Sequence, residues 1–185
     1  PGCWMHVVAP SEEDLAAIRR FGVPPGLLSH VDDADERPRA EHLADVALVV
    51  FHYPLRRGEG GGAPFVTSPL SVFLLPHSVV TVSPRPVEFL EPLLDGRVAD
   101  LSTTRTTEFV LRIFLQLADA YLAAVREINA SVERVEDQLK QSLRNEEVLR
   151  LLDYQKSLTY FVTGMGANEL VLERLQRSPA LRLGE

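Results

Sequence analysis

TTEFVLRIFLQLADAYLAAVREINASVERVEDQLKQSL, residues 106–143, contains neither proline nor glycine, the two residues that most readily stop a helix. Its apolar residues Phe114, Leu117, Tyr121, Val125, Ile128, Val132, Val135 and Leu139 recur at steps of three and four. That is the seam of a long helix lying along a partner helix. With a rise of about 1.5 Å per residue the helix runs about 55 Å, longer than a compact domain of this size needs. Asn145 and Glu146 mark a turn. Val148, Leu151, Leu158, Val162, Met165, Leu172 and Leu175 then carry the same rhythm back, and Pro179 ends it. Gly164 and Gly166 weaken this second helix locally and point to a close helix contact. The expectation is an antiparallel hairpin that protrudes or packs against other chains.

Upstream the residues change character. Val46-Ala47-Leu48-Val49-Val50-Phe51-His52-Tyr53 is rich in β-branched and aromatic residues, as a largely buried strand is. Residues 70–75 and 79–82 read as two further strands, joined tightly by Pro76-His77-Ser78 and therefore antiparallel. Residues 4–9 have strand character and close on Pro10. Ser11 reads as a helix N-cap, with Glu12, Glu13 and Asp14 in the first turn and Arg19 and Arg20 in the last, both complementing the helix dipole. Residues 21–25 break that helix. Pro25 opens a second short one through Leu27, Leu28 and Val31, and residues 87–94 read as a third. The fold class expected is α/β: a mixed, mostly antiparallel sheet flanked by short helices (α/β/α), followed by the long hairpin. Residues 1–104 form the α/β domain and 105–185 the hairpin.

Of the 185 residues, 45% are hydrophobic and 24% charged, which excludes wholesale disorder. The net charge of −7 argues against a nucleic-acid partner, which requires a basic footprint to displace counterions. One cysteine, Cys3, allows no intrachain disulfide. No basic segment followed by an apolar run opens these residues, so no secretory signal is expected. Residues 60–84 lack Asp, Glu, Lys and Arg over a length near that of a membrane span. Pro64, Pro69, Pro76 and Pro84 would leave backbone groups unsatisfied in lipid, so the stretch reads as a loop and two strands.

Few residues offer chemistry. Asp32-Asp33-Ala34-Asp35-Glu36 is the densest acidic run, yet Arg37 and Pro38 fall where a calcium loop needs a ligand and a glycine. It reads as a solvated turn with an ion pair from Asp32 to Arg37 or Arg39. His6, His30, His42, His52 and His77 are scattered without a pair at metal-ligand spacing, and His52 reads as a hydrogen-bonded core histidine. Gly58 and the glycines at 60–62 lack the helix and lysine of a phosphate loop, and no nucleophile, base and orienting acid stand at supporting spacing. Glu88 and Glu91, three apart, share one face of a short helix. They form either an exposed acidic face or an oxygen site for a hard cation completed by water.

Phe21-Gly22-Val23-Pro24-Pro25-Gly26-Leu27-Leu28, then Asp35-Glu36-Arg37-Pro38-Arg39-Ala40-Glu41 and the apolar strand after it, resemble the N-terminal domain of the CorA family of magnesium transporters. The strand pair at 70–75 and 79–82, Glu88-Phe89-Leu90-Glu91-Pro92, and the helix from Thr106-Thr107-Glu108-Phe109-Val110 through Ala118-Asp119-Ala120-Tyr121 are similar in the same order. Gly164-Met165-Gly166-Ala167-Asn168 only mimics the family's Gly-Met-Asn pore signature, because it sits in an amphipathic helix. The resemblance implies a homopentamer around a pore in the plasma (bacterial inner) membrane, with this segment on the cytoplasmic side and the membrane helices beyond it. It implies a regulatory Mg²⁺ held between subunits by an acid at the position of Glu88 and a partner acid from the stalk helix that leads into the membrane. Glu91 joins Glu88 as a metal candidate through their spacing. Bound Mg²⁺ neutralises carboxylates that otherwise repel, favouring the closed pore. A further metal-contacting acid would fall near Ser178, which carries no charge.

The function expected is the metal-sensing cytoplasmic domain of a Mg²⁺/Co²⁺ transport channel with no enzymatic activity. Its partners are copies of itself and divalent cations, Mg²⁺ first and Co²⁺ or Zn²⁺ next. The alternatives are the zinc-transporting branch of the same family, a cytosolic coiled-coil interaction protein, and a metal-dependent hydrolase using Glu88 and Glu91.

Overall fold

A computed structural model describes residues 2–58, 62–97, 102, 105–141 and 145–177. The expectations at Ser178 and Pro179 lie outside the described residues. Strands β1 (Cys3–Val8), β2 (Arg39–Leu43), β3 (Val46–Arg56), β4 (Phe65–Leu75) and β5 (Ser78–Ser83) form one sheet in the order β1-β5-β4-β3-β2. Pairings are antiparallel except β1 with β5, which is parallel. Helix α1 spans Glu12–Phe21, α2 Glu91–Leu94, α3 Thr106–Gln141 and α4 Asn145–Arg177; 3-10 turns occupy Pro25–Leu27 and Glu88–Leu90.

The sheet is covered on both faces, which is why β3 reads as an unbroken apolar run rather than an alternating one. Val49, Phe51, Tyr53, Leu70, Val72 and Leu74 pack with Val110, Ile113, Leu117, Ile128 and Phe161 of α3 and α4. On the other face Leu48, Val50, Phe73, Val80 and Val82 meet Leu15 and Ile18 of α1 and Leu27, Leu28 and Val31 after it. The α/β/α arrangement and the long helices are those expected, but one layer is the hairpin itself. Helices α3 and α4 lie on the sheet instead of protruding beyond a domain flanked only by short helices, because the apolar face of β3 and β4 needs cover and α3 and α4 supply it.

Four local differences have physical causes. β2 was not anticipated, because Arg-Ala-Glu-His-Leu carries no β-branched residue; it is an edge strand, where charge is normal. β4 starts at Phe65 and includes Pro69, which sits opposite His52. Residues 87–94 split into a 3-10 turn and α2, since the Pro92 ring would crowd the Glu88 carbonyl in one continuous α-helix. Asn145 and Glu146 are already the first residues of α4.

The largest difference concerns α4. Its buried stripe is Ser157, Phe161, Gly164, Asn168, Val171 and Leu175, stepping by four and three. The apolar residues expected to form the seam include Leu158, Val162 and Met165, and these are exposed, Val162 by 74%. Asn168 and Ser157 turn inward because they bond to strand edges, and Gly164 because α4 approaches His52, Thr67 and Tyr121 too closely for a side chain; Phe161, Val171 and Leu175 share that face. Beyond β2 and β5 the β3–β4 hairpin continues as a two-stranded ribbon, leaving outward-facing backbone groups. Asn168 donates from Nδ2 to the His52 carbonyl (2.7 Å) and accepts from the His52 N–H (2.8 Å). Ser157 Oγ accepts from the Phe65 N–H at 3.1 Å.

Candidate metal centre

After the first 3-10 turn the chain takes successive tight turns. The Asp33 N–H donates to the His30 carbonyl (3.1 Å) and the Glu36 N–H to the Asp33 carbonyl (3.3 Å). Residues 30, 33 and 36 therefore fall on one side, and ligand atoms of His30, Asp33 and Glu36 lie within 4.8 Å of one another. His30 and Asp33 are exposed, whereas Glu36 retains 9% exposure. Arg39 pairs with Glu36 and, at 2.8 Å, with Glu41, rather than with Asp32 as expected from sequence. Any ion here would share the Glu36 carboxylate with that guanidinium. One imidazole nitrogen with two carboxylates suits Zn²⁺ or Co²⁺ better than Mg²⁺, which prefers all-oxygen shells. The sequence signal is the i, i+3, i+6 spacing of His30, Asp33 and Glu36, which shows only when histidines and acids are taken together.

His52 is tied to this turn. Its Nε2 lies 2.7 Å from the Glu36 carbonyl, so Nε2 carries the proton of the neutral ring. Burial holds the imidazole below its ordinary pKa, opposed by the charge of Asp35. The core, hydrogen-bonded histidine expected at this position is what the structure contains.

Glu88 and Glu91 are both exposed, Glu88 opening the second 3-10 turn and Glu91 opening α2. Glu88 lines a cleft of about 380 Å³ together with Tyr53, Arg56, Phe89 and Glu127. Arg56 pairs with Glu127 there, and its guanidinium carbon lies 5.1 Å from the Phe65 ring centre. Tyr53 donates to the Arg85 carbonyl at 3.0 Å, and burial raises its phenol pKa. Glu91 does not line this cleft, and the converging donor group among the described residues includes neither acid.

Along the hairpin, Phe114, Leu122, Val125, Val162, Met165 and Leu172 line a groove of about 750 Å³ that is almost wholly apolar. No helix among the described residues is long and apolar enough to cross a membrane.

The family model described as CorA-like Mg²⁺ transporter protein matches residues 2–184. The cobalt/magnesium transport protein CorA of Methanocaldococcus jannaschii is 22% identical over 94% of the chain. The chain spans only 55% of that relative's length. The soluble domain of CorA from the same organism superposes with a TM-score of 0.81 at 22% identity, covering 96% of this chain and 72% of that one. The cytoplasmic domain of ZntB from Vibrio parahaemolyticus gives 0.70 at 10% identity, covering 96% and 71%. With its sheet, hairpin and nearly every residue matched in order, the chain belongs to the CorA-like Mg²⁺ transporter family.

Proposed function

We propose that this chain is the cytoplasmic, metal-sensing part of a homopentameric membrane transporter for Mg²⁺ or Co²⁺ and has no catalytic role of its own. The observation that carries the reading is the match of residues 2–184 to the transporter family, on a sheet domain joined to two long helices. The exposed apolar groove along that hairpin supports it, since a large apolar patch on a soluble surface marks a contact. In the proposed cycle, acids exposed at the surface meet a divalent ion between subunits. Loss of the ion restores carboxylate repulsion and shifts the population towards the open ring.

Glu88 and Glu91 are the acids proposed for that role, and both are accessible to a neighbouring subunit. Millimolar Mg²⁺ is expected to raise the melting temperature of the full-length pentamer, and Glu88→Ala to abolish the rise. If Asp33→Asn abolishes it and Glu88→Ala does not, the sensor belongs to the 30–36 turn instead. Uptake of Mg²⁺ and Co²⁺ by vesicles carrying the full-length protein tests the transport reading, and no uptake of either ion would end it. A zinc-transporting function is the second reading, favoured by the imidazole of His30 among the converging donors and by the fold shared with ZntB. Zn²⁺ uptake exceeding that of Mg²⁺ in the same vesicles would select it.

A further inference from the structure

Contacts from three elements meet at His52 of β3. Its imidazole is held by the Glu36 carbonyl, and its backbone N–H and carbonyl by the Asn168 carboxamide. Tyr121 of α3 donates its phenol to the same carbonyl at 3.1 Å. The strand edge is open there because β2 begins at Arg39, opposite Val50, and Pro38 before it has no N–H. Two residues further on, Arg37 would have faced His52 had β2 continued; the Asn168 amide fills that role with one donor and one acceptor.

The surroundings leave little slack. Gly164, one turn before Asn168, brings α4 so close that a Cβ there would stand 3.4 Å from His52 Cβ. Glu36 is nearly buried and paired with Arg39, the first residue of β2. The turn therefore cannot shift without moving the carbonyl that holds the His52 ring. His52 cannot shift without disturbing the bonds that hold α4.

We propose that His52 is a positioning residue that couples the 30–36 turn, with its converging His30, Asp33 and Glu36, to α4 of the hairpin. A displacement at the turn changes the grip on the imidazole and, through the backbone of residue 52, the seating of Asn168. Linkage makes the coupling reciprocal: loosening α4 loosens the turn. Its regulatory meaning rests on the transporter reading above, whereas the coupling itself is a property of this chain.

Amide hydrogen exchange on the protein and three variants tests it. His52→Leu is expected to speed exchange about tenfold at amides 164–171 of α4 as well as at 33–36, while amides of α1 keep their protection. His52→Gln, which retains an amide donor for the Glu36 carbonyl, is expected to restore both segments. Asn168→Leu is expected to speed exchange at 33–36 and to move the His52 Nε2–H resonance. The proposal is overturned if His52→Leu opens the turn and leaves α4 protected, or if α1 amides accelerate equally, which signals general destabilisation. A transport defect without these exchange changes would count against the coupling and leave the transporter reading standing.

Discussion

At Gly164 a methyl group would stand 2.9 Å from both Thr67 Cγ2 and Tyr121 Oη, closer than packed atoms tolerate. Gly164→Ala is therefore expected to destabilise by about 1–3 kcal/mol. Gly166, two residues on, has open space around its Cβ position, and Gly166→Ala should stabilise by about 0.5–1 kcal/mol through helix propensity. Urea unfolding of the two variants side by side measures both signs. Two histidines contribute to the loss of stability in acid. Burial lowers the pKa of His6 and His52 from the ordinary 6.5, and a hydrogen bond with Thr81 and the charge of Asp35 respectively oppose it without prevailing. The folded state thus favours neutral rings: their contribution is complete above the unfolded value and drains as pH falls through the folded ones. Denaturation midpoints should decline from about pH 7 to pH 5, and His52→Gln should flatten part of that slope. Tyr121 acts at the other end. Its buried phenol has a raised pKa, so its contribution is lost as pH climbs past the ordinary tyrosine value of 10.0.

Among the elements, α1 shows how completely a short helix can be specified by its ends. Ser11 Oγ accepts from the Asp14 N–H at 3.2 Å while Asp14 accepts from the Ser11 N–H at 2.9 Å, a reciprocal capping box. Gly22 closes the helix with φ 117°, in the left-handed region that a side chain resists. Ser11→Ala is expected to cost about 1 kcal/mol, readable as a lowered urea midpoint with unchanged slope. The β3–β4 ribbon shows the opposite case, in which neighbours decide. Its open edges offer backbone groups to any passing strand, and they are blunted by Pro54 and Pro69, which lack N–H, and by Asn168 and Ser157, which engage His52 and Phe65. Asn168→Ala would leave the His52 N–H unpaired, an expected loss of about 1–3 kcal/mol in the same measurement.

At the scale of the whole molecule, the sheet is closed by α1 on one side and by α3 and α4 on the other, while the outer side of the hairpin keeps an uncovered apolar groove. Val162 stands 74% exposed in that groove and contributes little to the core. Val162→Glu is accordingly expected to change the unfolding free energy of this chain by less than about 0.5 kcal/mol. If, as proposed, copies of the chain meet along this groove, the same charge would enter that contact in the full-length protein. Sedimentation should then show weakened assembly, and unchanged assembly would mean that the groove stays open to water.

What could be read along the chain is what depends on periodicity and on single-residue backbone preferences. Proline-free spacing by three and four gave the two long helices, β-branched density gave β3 and β5, and Ser11 with Gly22 fixed the ends of α1. The order of those pieces also carried the family resemblance. Tertiary structure alone decided which side of α4 turns inward, because hydrophobicity favoured Val162 and Met165 whereas unsatisfied strand-edge groups required Asn168 and Ser157. It likewise created β2, whose residues have little strand preference until β3 lies beside them, and it drew His30, Asp33 and Glu36 together, since their spacing by threes brings side chains to one side only where the backbone makes successive tight turns. A buried backbone N–H without a partner costs more than an exposed valine, and that cost is set by neighbours remote in the chain.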